Sequence, residues 1–350
     1  MPVSPPPLRL TIDGDALLSN WLWLRERGGG AACGAAVKAD GYGLGAREVV
    51  AVLSAAGCRD FYVATWNEAE ALLPFGREVG FSVFHGVRAE DMEVALAIPA
   101  RPVLNTPAQV MRWKETGRPC DVMVDTGINR LGLTPEEARS GLLDGLGIDA
   151  LMSHLACADE PGHPKNEEQR RLFAELSAEI EAKRYSLANS AGICLGAEYA
   201  FGLTRPGLAL YGGVPVPGDE VQQTALQQVA HIEAQVLSVK TVRAGETVGY
   251  NATYRAERDE RVGIVNLGYA DGYNRGFSGA PHAVRHGNVA LDVAGRVSMD
   301  LVAVRLGDAE VGEGDWLYVD FDLPEAAARS GRSQYELLTG LGARYERRWL

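Results

Sequence analysis

The chain has 350 residues, 46% of them hydrophobic, and a formal net charge of −12. That is enough apolar material for one large core or two moderate ones. It is too acidic for a protein that displaces counterions from nucleic-acid phosphates, the RYERRWL tail being only a local positive patch.

The opening MPVSPPPLRLTID lacks the basic start and apolar run of an export signal. No apolar stretch is long enough to span a membrane. Both point to a cytoplasmic protein. LRLTID reads as a strand that could belong to a later domain. From there short apolar runs recur: CGAAVK (33–38), DFYVAT (60–65), GFSVFH (80–85), RPVLN (101–105), DVMVD (121–125), DALMSH (149–154), RYSLAN (184–189) and LALYG (208–212). Helix-like segments separate most of them, such as AREVVAVLSAAG (46–57), WNEAEALLPFG (66–76) and EEQRRLFAELSAEIEAK (167–183). Thr134-Pro135-Glu136-Glu137 carries an N-cap, a first-turn proline and first-turn acids. Unbroken apolar strands alternating with helices predict a parallel sheet covered on both faces. Eight of them fit a (β/α)8 barrel, with a doubly wound open sheet as the alternative. After PVPGDE the texture turns β-rich, through HIEAQVLSVKTV, VGIVNLGYADG, NVALDVAGRVSMDLVAVRL and DWLYVD, with few helix signals. The expected architecture is therefore α/β, with a barrel over residues 8–225 and a mostly β domain over 226–350.

Barrel sites form at the C-terminal strand ends, and reactive side chains cluster there. Lys38 follows the first run, Arg130 the fifth, His154 ends the sixth, Ser190 follows the seventh, and Arg205 precedes LALYG. A lysine among small residues at a strand end can condense with a carbonyl if its pKa falls; the carbonyl could be a substrate's or a cofactor's, and an ordinary surface lysine is the plain alternative. SAG (190–192) and RPGLALYG (205–212) fit a phosphate site between strands seven and eight, or simply glycine-marked loops. The five cysteines, Cys33, Cys58, Cys120, Cys157 and Cys194, are odd in number and show no CxxC spacing. HxH and HExxH spacings are also missing, so neither a disulfide framework nor a metal site is indicated. No GxGxxG follows a strand, which leaves a Rossmann nucleotide site without support. In the second domain, tyrosines sit beside glycines in GETVGYNATY (245–254), NLGYADGYNR (266–275) and GRVSMD (295–300). They are either turn and core residues or one wall of a shared site.

Taken together, AVKADGYGLG (36–45), DTGINRLG, MSHLACAD, NSAG, TRPGLALYG, GETVGYNATY, GYADGYNR, GRVSMD and SQYELL resemble, in order and spacing, the motifs of the alanine racemase family. The likeness runs from TIDGDALLSN to YELL. It implies a pyridoxal 5′-phosphate enzyme, an isomerase interconverting L- and D-alanine by two-base proton transfer, working as a homodimer that shares its active site between subunits, with D-alanine destined for cell wall or for breakdown. By the same resemblance Lys38 would hold the cofactor as an aldimine and serve as base on the D-face, and Tyr250 from the partner would serve the L-face. Arg205 would hydrogen-bond the pyridine nitrogen, with His154 supporting it. Tyr42, Ser190, Gly207, Leu208 and Tyr335 would hold the phosphate. Arg130 and the backbone of Met299 would meet the substrate carboxylate, and Tyr269 and Asp300 would line the entrance. Two positions depart from the family. Met123 stands where a lysine commonly helps to position the arginine, and Asn251 replaces the small residue after the catalytic tyrosine. A broad-specificity racemase, a decarboxylase of the same architecture, a non-catalytic cofactor-binding protein and a cofactor-free aldolase are the competing readings.

Overall fold

The structure is a computed structural model that describes residues 5–76 and 78–350. Residues 1–4, the start of the segment read above for an export signal, lie outside the described residues. By internal contacts the chain divides into two compact units. One comprises the described residues up to Ala16 together with Gln228–Leu350; the other is Leu17–Gln227.

Strand β1 (Leu8–Ile12) alternates buried and half-buried residues, the period of a sheet with one wet face. It does not join the strands that follow it. Its partners are Ala230–Val242, antiparallel, and Glu346–Trp349, parallel.

The Leu17–Gln227 unit carries β2 (Ala32–Cys33) and β3 (Ala35–Ala36), followed by β4 (Asp60–Val63), β5 (Gly80–Val83), β6 (Ala100–Leu104), β7 (Cys120–Met123), β8 (Ile148–Met152), β9 (Arg184–Ser186) and β10 (Leu203–Thr204). β3 to β9 form one parallel sheet in sequence order, and β10 pairs in parallel with β2. Gly202 N donates to Tyr185 O at 3.0 Å and Arg205 N to Ala188 O at 2.9 Å, joining the β9 and β10 segments. The ring is thus closed, and β2 and β3 act as one strand interrupted at Gly34. The reason is steric: a Cβ on Gly34 would lie 2.8 Å from Asp60 O and 2.9 Å from the Tyr62 ring.

The helices between strands follow their local signals. Ala46–Ala55 buries Ala46, Val49, Val50 and Leu53 on one face. Thr65 and Thr134 each cap a helix with a reciprocal Glu three residues on, Glu68 and Glu137. The expected eighth strand, however, is misplaced by the sequence reading. Leu208–Tyr211 is a 3₁₀ turn, and the strand is Leu203–Thr204, ahead of Arg205. Pro206 has no N–H to give a ladder, and the chain turns at Gly207. The following residues are all buried, which gave them the look of a strand.

Charges close the N-terminal end of the barrel. Arg184, opening β9, donates both Nη atoms to Asp60 at 2.8 Å and reaches Asp149 at 2.7 Å. Arg101 on β6 lies 3.3 Å from Asp149. The opposite, C-terminal end is left to the functional residues.

In the unit that holds Gln228–Leu350, the long strand Ala230–Val242 (β11) slips register between Val236 and Ser238. Before the slip it pairs with Trp316–Val319, and after it with Glu260–Val265. One strand therefore serves these two partners besides β1, and a ring of antiparallel pairs runs through Val302–Arg305, Val289–Val293 and Val284–His286 back to Trp316–Val319. Few helix signals were expected here, yet Leu323–Ser330 and Gln334–Thr339 are helices. Asp322 caps the first and Ser333, with Glu336, caps the second.

Because Gly34 sits backbone-to-backbone against β4, Gly34→Ala should destabilise the protein by about 1–3 kcal/mol. The check is a lowered urea midpoint with the folded-state spectrum retained.

Candidate active site

Lys38 follows β3 directly. Behind it Ala39, Asp40, Gly41 and Tyr42 all take positive φ, between 53° and 62°. This is a turn of left-handed helix, closed by Gly41 N to Val37 O and Gly43 N to Ala39 O, each 2.8 Å. L-residues pay about 1–2 kcal/mol each for that conformation. Gly41 also has no room for a side chain, since a Cβ would meet Ala46 N at 3.1 Å. The turn swings Tyr42 inward, where its ring stacks on Tyr211 at 4.7 Å between centroids. Tyr211 is fixed in turn by donating to Ala36 O at 2.8 Å.

The Lys38 amine lies 6.0 Å from the centre of the Phe84 ring. Burial lowers its pKa, the charge of Arg130 lowers it further, and Glu68 opposes them. His154, at the end of β8, is pushed down to about 3 by burial and by the charges of Arg205, Arg130 and Lys38. The four side chains thus feel one another at the barrel mouth, and the imidazole is neutral at physiological pH.

Arg205 is buried. Its guanidinium donates to Ser186 Oγ and to Ser153 O. These two serines, on and just after strands β9 and β8, hold the guanidinium, and neither was singled out from the sequence. The expected support from His154 takes the form of its neighbour's carbonyl. Gln169, on the helix Pro164–Glu179, donates to His154 O at 2.9 Å and to Thr126 Oγ1 at 3.1 Å, tying the His154 segment to the loop that carries Arg130.

That loop is built on Asp125. Its carboxylate accepts the N–H groups of Gly127 at 2.8 Å, Asn129 at 3.1 Å and Arg130 at 3.0 Å. Asn129 takes φ 55° and Gly127 φ 127°. Met123 is buried and packs near Gly132, where a Cβ would meet its Cγ at 3.1 Å. The backbone of Arg130 is held without help from a lysine at position 123.

Ser190 opens a short helix capped by Asn189, which accepts from Gly192 N at 2.8 Å. The Ser190 hydroxyl gathers two amides from the other side of the cleft, Gly207 N at 2.9 Å and Ala209 N at 3.2 Å. A side chain on Gly207 would collide with the Tyr42 hydroxyl. Hydroxyls of Ser190 and Tyr42 thus lie beside the Gly207 and Ala209 amides, groups of the kind that bind oxyanions. These residues fit the phosphate of pyridoxal phosphate, and Lys38 fits its aldehyde.

The remaining candidates lie in the unit that holds Gln228–Leu350. Tyr250 is 65% exposed and follows Gly249 at φ 77°. Asn251 takes φ 62°, a conformation asparagine tolerates better than most side chains, which accounts for its presence in place of a smaller residue. Tyr250 shares a pocket of about 400 Å³ with Arg296, Ser298 and Leu301. Tyr269 N donates to Ser298 O and Ala270 N to Met299 O, so the loops of Tyr269, Met299 and Asp300 run side by side. Arg344 staples them: it grips buried Asp271 through two hydrogen bonds of 2.7 and 2.8 Å and reaches Asp300 at 2.6 Å. Tyr335 is half exposed on the helix Gln334–Thr339, whose end at Gly340 abuts Gly272.

An amine whose pKa is lowered by burial and by Arg130, next to hydroxyls and amides suited to a phosphate, is what a cofactor aldehyde requires; inside a parallel barrel it marks the class of barrel enzymes that work through pyridoxal phosphate. Comparison with known proteins gives the particular family. Residues 12–215 match the alanine racemase N-terminal domain and residues 229–349 the C-terminal domain. The alanine racemase of Rhodospirillum rubrum is 41% identical, over 97% of this chain and 95% of that protein. That of Rhizobium meliloti is 40% identical, over 98% of this chain and 96% of that protein. The crystal structure of the Bartonella henselae alanine racemase, with covalently bound pyridoxal phosphate, superposes with a TM-score of 0.90 at 31% identity and covers both chains fully. The chain belongs to the alanine racemase family.

Two outcomes test this geometry. Asp125→Ala leaves three amides of the Arg130 loop unheld, and losing charge-assisted hydrogen bonds costs about 1.5–3 kcal/mol. It should raise the KM for alanine by about 10- to 100-fold with a smaller change in kcat, read by steady-state kinetics. The second concerns acid. Between pH 6.5 and about 3 the unfolded His154 takes a proton that the folded ring refuses. Stability contributed by its neutral form is therefore present above pH 6.5 and lost as pH falls, at no more than about 1.4 kcal/mol per pH unit. His154→Gln should show a shallower loss of stability than the parent protein across that window in denaturant titrations.

Proposed function

We propose that this chain interconverts L-alanine and D-alanine with pyridoxal 5′-phosphate, Lys38 and Tyr250 working from opposite faces of the substrate α-carbon. The observation that carries the reading is the Lys38 amine, its proton loosened by burial and by Arg130 on the strand that leads to the phosphate cradle. On this reading residues 8–225 hold the cofactor and residues 226–350 supply the opposing wall.

When bound, the cofactor supplies an electron-withdrawing ring that accepts the pair left on the α-carbon once its proton departs. Lys38 would hold the cofactor through its aldehyde and, with its amine free, would take or return the α-proton at its Nζ. Tyr250 does the same at its hydroxyl on the other face, because inversion needs one proton removed and another delivered from the far side. Arg205 would face the ring nitrogen as a donor that keeps its own proton, which would leave the ring a modest electron sink and hold back side reactions. His154, neutral, neighbours Ser153, whose carbonyl anchors Arg205. Ser190, Tyr42, Gly207, Leu208 and Tyr335 bind the phosphate. Arg130 and the Met299 backbone orient the substrate carboxylate, and Tyr269 and Asp300 line the way in.

Tyr250 comes from a second copy of the chain. In support, Tyr250, Tyr269, Met299 and Leu301 are exposed aromatic and apolar residues of the unit that holds Gln228–Leu350, the kind of surface that marks an interface. The protein works in the cytoplasm, in keeping with five cysteines that are all free. No helix among the described residues is long and apolar enough to cross a membrane.

The test is incubation with pyridoxal phosphate and single enantiomers of alanine, serine, lysine or arginine in D2O. Alanine should invert well ahead of the others and gain one α-deuterium per inversion. Faster inversion of lysine or arginine would replace the substrate, and exchange without inversion would remove Tyr250 from its role. Loss of all exchange with cofactor bound would overturn the reading.

A further inference from the structure

We propose that Glu68 is a positioning residue for the Lys38 amine, its carboxylate fastening the left-handed turn behind the lysine to the start of the next helix and facing the amine with negative charge. The inference rests on the role given to Lys38 above.

The turn needs an external anchor. Ala39, Asp40 and Tyr42 occupy a conformation that costs L-residues free energy, and such strain persists only where the surroundings over-determine it. Part of the restraint is internal: Asp40 reaches forward to accept Ala46 N at 2.9 Å, and Gly45 N donates to Asp40 O at 2.8 Å. Glu68 supplies the outside hold. Its Oε1 accepts Ala39 N, the amide immediately after Lys38, at 2.9 Å. Its Oε2 accepts Ala64 N at 2.6 Å.

The carboxylate is drawn away from the simpler task its position predicts. As the third residue of the helix Trp66–Ala71 it completes a capping box, yet its bond to the cap residue Thr65 N is a long 3.4 Å. The short bonds go instead to the end of β4 and to the Lys38 turn. Cap formation alone gives no reason for that preference; bridging two strand ends does.

Charge points the same way. The groups facing Lys38 are Arg130 from the loop after β7, His154 from the end of β8 and Glu68 from the helix after β4, with the Phe84 ring beyond β5. Arg130 drives the amine toward its neutral form and Glu68 restrains that drift. Removing the Glu68 charge leaves a weaker base on a looser turn.

Three full-chain variants, loaded with pyridoxal phosphate, separate positioning from capping. Glu68→Gln loses the charge and one of the two strong acceptors. Glu68→Asp keeps the charge but is too short to span Ala39 and Ala64. Thr65→Ala weakens the same helix cap, through Glu68 N to Thr65 Oγ1, without touching the Lys38 turn. Deuterium exchange from D-alanine is followed against pH. Glu68→Gln should lower kcat about 10- to 100-fold, since a displacement of about 1 Å can cost that much. It should also move the acidic limb of the profile to lower pH. Glu68→Asp should lower kcat with the limb unmoved, and Thr65→Ala should leave both as they were. A Glu68→Gln profile superimposable on the parent, or an equal kcat loss in Thr65→Ala, overturns the proposal. Should Glu68→Gln not fold, the contrast between Glu68→Asp and Thr65→Ala decides by the same rule. Borohydride trapping followed by peptide mass mapping is run alongside. Label on Lys38 with unaltered Glu68 variants sinks only the role of Glu68, whereas label on another lysine sinks the reading of the site itself.

Discussion

A guanidinium placed out of reach of water governs the barrel mouth. Arg205 is buried, and its hydrogen bonds go to neutral oxygens, Ser186 Oγ and Ser153 O. A buried cation without a carboxylate at hand is expensive, and it biases its surroundings. It helps to keep His154 neutral, and with Arg130 and Lys38 it makes the mouth electropositive. A site with that field favours a phosphate and a carboxylate over neutral ligands. The acidic balance of the whole chain conceals this local inversion of sign.

The acids that do occur near the candidate residues are spent on backbone. Asp125 holds three amides of the Arg130 loop, Glu68 holds Ala39 and Ala64, and Asp271 takes Gly268 N as well as Arg344. Carboxylates satisfied by amides can shape loops while leaving the cations beside them available. Positions with positive φ, at Ala39, Asp40, Asn129 and Asn251, mark where those loops depart from ordinary geometry. They also explain why single residues look unusual in the sequence: Asn251 answers a dihedral angle, and Met123 leaves Arg130 in place because Asp125 holds its backbone.

Much of the architecture was legible in the sequence. Alternation of buried runs with capped helices gave the parallel barrel, and the β-rich texture gave the second unit. The motif order carried the family, and the apolar runs placed Lys38, Arg130, His154 and Ser190 after β3, β7, β8 and β9; Arg205 follows β10. What failed did so for physical reasons. Leu208–Tyr211 is as apolar as a strand but follows Pro206 and turns at Gly207, so burial alone misidentified it. Ser153, Ser186 and Gln169 act through long-range hydrogen bonds that no local pattern announces. Glu68 stood in the sequence only within the helix-like segment WNEAEALLPFG, because its partner Ala39 comes near it only when the barrel forms. One signal was available in retrospect: the cap glutamate and the lysine turn follow adjacent strands, whose ends a parallel sheet must bring together.

The pairing of β1 sets an order on biosynthesis. Leu8–Ile12 emerges from the ribosome first, but its partners are Ala230–Val242 and Glu346–Trp349. The barrel strands between them pair with sequence neighbours and can zip up as they are made. The nascent chain must therefore carry an unpaired apolar segment past a nearly finished barrel until the closing strand arrives. Three prolines just ahead of β1, at Pro5, Pro6 and Pro7, disfavour strand pairing there. Completion of the sheet that holds β1 therefore waits for Glu346–Trp349.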